Sequence, residues 1–135
     1  MVVLLINANL KAAETADGKA IQGNWKVVKI VLGEVETDVP GSDQRWIIAA
    51  DKITMKFDNR ANTSTFSLDS TKDPKEIDLA EQKGTTILKT RAIYELNGDD
   101  LRICITPGDG ATRPKSFKPS KNEIISIIVL KREKA

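Results

Sequence analysis

The sequence has no histidine. This absence removes the commonest metal ligand and the commonest general base, so a nucleophile and its base would have to be assembled from Lys, Asp or Glu. No spacing in the chain points to such a pair. Cysteine is almost as scarce: Cys104 stands alone, which excludes an intramolecular disulfide and leaves the redox compartment unread. With no histidine or second cysteine to join it, that thiol is expected to be an inert, half-buried packing residue. Aromatic residues make up only 4% of the chain. The core must therefore be built from Ile, Val and Leu, whose β-branched members favour strands. No apolar run approaches the ~18 residues of a membrane-spanning helix. The acidic residues Asp99, Asp100 and Asp109 lack the closing glutamate of a calcium loop. Gly108-Asp109-Gly110 lacks the lysine and following helix of a phosphate loop. No metal site and no cofactor is expected, and the chain is read as non-enzymatic.

What is present describes one ordinary folded domain: 135 residues, 40% hydrophobic and 30% charged. A net charge of +2 is too small to imply a nucleic-acid partner. Basic residues do gather near the C-terminus, where Arg113, Lys115, Lys118, Lys121, Lys131, Arg132 and Lys134 outnumber Glu123 and Glu133. This stretch is either a solvated face or an anion-binding patch. At the other end, Val2, Val3, Leu4, Leu5 and Ile6 precede Ala12-Ala13. The run is short for a signal peptide and has no basic leader. The alternatives are a leader remnant or a docking segment that packs against the domain or a partner. The only helical candidate, residues 10–20, has Ala-rich propensity but a poor apolar stripe.

From Gly23 onward, short apolar runs alternate with turn residues at the spacing of a β-sandwich or barrel. Eight strands are predicted, over residues 25–32, 45–49, 52–57, 62–68, 76–80, 85–96, 101–106 and 124–131. The first is long enough to hold a bulge. In the third, Ile53, Met55 and Phe57 alternate with Lys52, Thr54 and Lys56, the pattern of a half-buried strand. Residues 34–44, with Pro40-Gly41-Ser42, read as a loop able to cover a barrel mouth. Asn97-Gly98 is the strongest hairpin signal, because the mirror-image turns need residues that tolerate positive φ. Glu95 and Arg102 flank it on a common face, where a cross-strand ion pair is expected. The last strand is too apolar for one wet face and should be covered on both sides. Sequential antiparallel strands joined by short turns can close on themselves, which removes exposed sheet edges. The expected fold is all-β, an eight-stranded antiparallel up-and-down barrel over residues 20–135, with residues 1–19 as an N-terminal extension.

Gly23-Asn24-Trp25 resembles the Gly-x-Trp signature that opens the first strand of lipocalins, whose tryptophan plugs the closed end of the barrel. The wider set of Ile21-Gln22-Gly23-Asn24-Trp25-Lys26-Val27-Val28, Pro74-Lys75-Glu76-Ile77-Asp78-Leu79, Tyr94-Glu95-Leu96-Asn97-Gly98-Asp99-Asp100-Leu101-Arg102-Ile103-Cys104, Arg113-Pro114-Lys115-Ser116-Phe117 and Val129-Leu130-Lys131-Arg132-Glu133 is similar, in order, to the motifs of a lipocalin-like domain family expanded in planctomycetes. The resemblance implies a lipocalin-like barrel, frequent export of family members to the periplasm or beyond, and no established ligand or catalytic activity. The first nineteen residues lie outside it, so a cytoplasmic location stays open.

A barrel of this strand number is just wide enough to be filled by side chains or to hold one small ligand. Trp25, Trp46, Met55, Phe57, Phe66, Tyr94 and Phe117 are the candidate cavity lining, with core packing as the competing reading for each. Trp25, at a strand start, is expected to be a plug. The leading functional expectation is a binding module that holds a small apolar or amphipathic molecule between residues 34–44 and 108–122, in a cavity of a few hundred Å³. The alternative is a structural or adaptor subunit that docks onto a larger protein assembly through the barrel surface and the segment Val2 to Ile6.

Overall fold

The computed structural model describes residues 15–39, 43–108, 110–119 and 124–134. Val2 to Ile6, the first part of the helical candidate, and Asp109 lie outside the described residues. A short helix, α1 (Ala16–Ala20), precedes nine strands: β1 (Gly23–Leu32), β2 (Val35–Asp38), β3 (Arg45–Ala49), β4 (Lys52–Phe57), β5 (Arg60–Asp69), β6 (Lys75–Lys83), β7 (Thr86–Asn97), β8 (Asp100–Ile105) and β9 (Ser126–Arg132). Every strand pairing is antiparallel, and the order follows the chain from β3 to β9. The ends join because β1 pairs with β3 through Gly23 to Lys26 and with β9 through Trp25 to Leu32. The result is a closed eight-stranded barrel with β2 as an extra strand. Closure satisfies the backbone groups that an open sheet would leave bare.

Local chemistry accounts for the turns. Gly98 sits at φ +60 and lets Asn97 face Asp100 across a two-residue hairpin. Glu95 faces Arg102 two positions along, and the expected ion pair forms at 2.9 Å. The bulge in β1 falls between Val27 and Lys29, where its register with β9 shifts.

The expectation of a loop between the first two predicted strands is corrected. Residues 34–44 are not all loop: β2 pairs with the second half of β1, from Leu32 opposite Val35 to Lys29 opposite Asp38. All four β2 side chains are exposed, so no buried face imprints an alternation on the sequence. Backbone pairing alone defines this strand. Val39 donates to the Val28 carbonyl at 2.8 Å and Val27 to that of Gln44 at 3.2 Å. Thus β2 and β3 run in one direction along the same side of β1, joined by residues 39–44.

The inward face carries the main core, including Trp25, Ile48, Ile53, Ile77, Leu101 and Leu130. Each such side chain withdrawn from water contributes about 1.5–3 kcal/mol. A second cluster lies on the outer wall, where Ile93, Cys104, Ile125 and Ile127 are covered with help from Phe117. This explains the too-apolar last strand: Ile128 and Leu130 face inward while Ile127 and Val129 meet the outer cluster. Cys104 is fully rather than half buried there. The loop between β8 and β9 provides the cover. Arg113 pins it to β6 and β7, reaching Asp78 at 2.8 Å, Glu76 at 3.6 Å and the Ala92 carbonyl at 2.8 Å.

Candidate functional site

The two ends of the barrel are built differently. At one end Trp25 is fully buried, and its indole N–H donates to the Ile21 carbonyl at 2.9 Å. The Arg132 guanidinium lies 4.3 Å from its ring centre, donates to the carbonyls of Gln22 and Ala20 at 2.6 Å each, and pairs with Asp99 at 2.9 Å. Gly23 is required beside it: its φ is +130, and a Cβ there would come within 2.9 Å of Arg132 Nη1. The helix α1 packs over this end. Its Asp17 accepts from the Tyr94 hydroxyl at 2.6 Å and from Lys75 at 3.0 Å. Burial opposes the charge on Asp17, but Tyr94 and Lys75 outweigh it and hold the carboxyl below its ordinary 3.8. Burial first, and the Asp17 carboxylate second, push the Tyr94 hydroxyl above its ordinary 10.0. This end is sealed and filled.

The opposite half is hollow. A cavity of about 260 Å³ opens at the end formed by the β4–β5 and β6–β7 hairpins. Its apolar wall includes Trp46, Met55, Leu79, Ile103, Ile105 and Ile128. Its polar groups are Asn62, Ser64, Glu81 and Thr90, supplied by β5, β6 and β7. Strand alternation places them: Glu81 lies two residues beyond Leu79 on the inward face, and Ser64 sits opposite inward-facing Ile53. Ser64 is only 8% exposed, yet its hydroxyl has no hydrogen-bond partner among the described residues, and neither has the Glu81 carboxylate. Polar groups in a wall this apolar fix orientation when a ligand is bound.

Around the mouth, Leu32, Val35, Phe57, Ile87, Leu88 and Ile124 are large apolar side chains left in water. They lie on or beside the strand ends at this side of the barrel. Wider depressions on the outer wall, up to about 570 Å³ between β2 and Phe117, are open grooves.

Of the residues singled out from sequence, Trp46 and Met55 line the cavity. Phe66 and Tyr94 belong to the filled core below it, as does Trp25. Phe57 is at the rim, 48% exposed. Phe117 is outside the barrel, with Arg102 4.3 Å above its ring, because Arg113 holds its loop against the outer wall. The loop at 108–122 therefore does not close the mouth in its described part, contrary to expectation. Leu79, Ile103, Ile105 and Ile128 were not among the sequence candidates, although their inward parity follows from alternation alone. Ser64 and Glu81 also carry that parity, but polar side chains on an inward face look like breaks in the pattern.

The C-terminal basic residues are largely matched by acids on neighbouring strands. Lys131 pairs with Asp100 at 3.1 Å, Arg132 and Lys134 with Asp99 at 2.9 and 3.0 Å, and Arg113 with Asp78 and Glu76. The same pairs engage Asp99 and Asp100, two of the acids considered for calcium, while Asp109 lies outside the described residues. Comparison with models of known protein families, with curated proteins and with solved structures returned no match.

Proposed function

We propose that this protein is a non-enzymatic, lipocalin-like binding module that holds one small apolar or amphipathic molecule in the open half of its barrel. The observation that carries the reading is the cavity itself: about 260 Å³ of space, walled by Trp46, Met55 and Ile103 and ending in an unpartnered Ser64 hydroxyl. At the packing density of protein interiors this volume admits roughly a dozen non-hydrogen atoms. It lies just under the usual range for ligand pockets, which suits a small ligand. Membership in the lipocalin-like family whose motifs the sequence resembles belongs to this proposal, and the barrel supports it.

Native mass spectrometry of protein purified from its source tests the reading. The expected result is a small-molecule adduct that Ser64→Leu, which fills the cavity, removes. If no adduct is seen and octanol fails to quench Trp46, the reading falls.

The apolar rim favours a second reading, an adaptor whose open end docks onto a protein partner. Near the rim the basic Lys56, Arg60 and Lys83 outnumber Asp58, so this reading takes a protein partner with an acidic surface. This reading expects Leu32→Asp with Ile87→Asp, or removal of residues 1–12, to lower the mass of the assembly isolated from the source. An unchanged mass would discard it.

A further inference from the structure

We infer that the ligand taken by the barrel cavity carries a cationic amine head, received by Glu81 and the Ser64 hydroxyl. The inference rests on the proposed binding function and adds the chemical class of the ligand. Glu81 is the one charged side chain among the described residues that line the cavity. It is half-buried and makes no hydrogen bond or ion pair among them. A half-buried carboxylate without a partner on an apolar wall is free to receive an incoming ammonium in a charge-assisted hydrogen bond. Ser64, more than nine-tenths buried, and Thr90 offer hydroxyl oxygens that can accept the remaining ammonium protons. Asn62, Ser64, Glu81 and Thr90 all come from β5 to β7, while β3, β4, β8 and β9 contribute only Trp46, Met55, Ile103, Ile105 and Ile128. The division fits an amphiphile whose apolar tail packs on the β3, β4, β8 and β9 side of the cavity and whose head meets Glu81 on β6.

Two cations compete for the head group. Lys83 follows Glu81 by two residues on the same face of β6, and Arg60 precedes Asn62 in the same way on β5. Both are exposed. Their fields are weakened by water and salt more than that of the half-buried carboxylate, so Glu81 decides which head is bound.

Octylamine, octanol and octanoate share one alkyl chain and differ in the head, and each is titrated against the protein at neutral pH. Tryptophan fluorescence is the readout, since Trp46 lines the cavity while Trp25, its neighbour across the β1–β3 pairing, is fully buried and does not line it. Octylamine is expected to bind at least about tenfold more tightly than octanol, and octanoate more weakly than either. In Glu81→Gln the amine and alcohol should agree to within about a factor of three. Salt should narrow the gap in the unsubstituted protein, which tests the charge without any variant. Equal binding of amine and alcohol, a preference that survives Glu81→Gln or high salt, or tightest binding of octanoate would overturn the amine assignment alone. Failure of all three to quench Trp46 would instead overturn the binding function beneath it.

Discussion

Arg132 does three jobs at the sealed end that no other side chain could combine. It lies over the Trp25 ring, closes two carbonyls at the start of the barrel, and pairs with Asp99. A lysine could keep the ion pair but not the planar fork. Arg132→Met is expected to cost about 2–3 kcal/mol and Arg132→Lys more than about 1 kcal/mol, as read by urea unfolding. Ala50 offers a test of opposite sign. It sits at φ +56 in the β3–β4 turn, held there by Gln22, which accepts from the Ala50 N–H at 2.7 Å and donates to its carbonyl at 2.9 Å. A side chain in that region is strained, so Ala50→Gly should stabilise the protein by about 0.5–1 kcal/mol. The Asp17 to Tyr94 contact predicts a pH response on both flanks. The carboxyl titrates lower in the folded protein than in the unfolded chain, so its contribution is present above 3.8 and is lost as pH falls through the folded value. The hydroxyl titrates higher, so its contribution is intact below 10.0 and declines as pH rises beyond that toward the folded value. Tyr94 is the only tyrosine, so tyrosinate absorbance reports on it alone. It should appear only with alkaline unfolding, and Asp17→Asn should flatten the acid limb of unfolding free energy against pH.

Elements with one wet face are the ones the sequence declares. Ile53, Met55 and Phe57 alternate with Lys52, Thr54 and Lys56 across β4, and its observed bounds match that alternation to the residue. The same holds for β3. Strand β2 escapes such a reading because a strand paired on one side and exposed on both faces has no burial to record. The cavity was only half legible for a related reason. In a chain with so few aromatics the lining is mostly aliphatic, and searching for aromatic side chains leads to Phe117, which the loop carries to the outer wall. That loop is itself testable as an element. Arg113 is its main polar anchor, and beneath it the Cys104 thiol contacts the Ser116 carbonyl at 3.7 Å. Arg113→Ala strands two carboxylates and frees the loop, at an expected cost of about 1–3 kcal/mol. Its signature should be faster labelling of Cys104 by a thiol reagent under conditions where the barrel stays folded. Labelling at the unsubstituted rate would show that the loop holds without Arg113.

At the scale of the whole molecule, one closed sheet supports two unlike halves. Strand pairing is continuous around both, so the backbone holds the shape whether or not side chains fill the interior. That independence is what lets one half be a plug and the other a container. It also predicts opposite responses to substitutions at the two ends. In the filled half, Trp25→Ala removes a fully buried indole and should cost about 3–5 kcal/mol, because the closed wall cannot collapse around the loss. In the hollow half, Ser64→Leu fills empty space with apolar contacts, so its stability should be equal to or above that of the natural protein. Thermal unfolding of the two variants, alongside octanol quenching of Trp46, separates the cases. Stability retained together with binding lost marks the open half as space kept for a ligand at some expense of packing, as expected where function and stability compete. If Ser64→Leu instead destabilised the barrel as severely as Trp25→Ala, the upper interior would be a packed core with no room to spare.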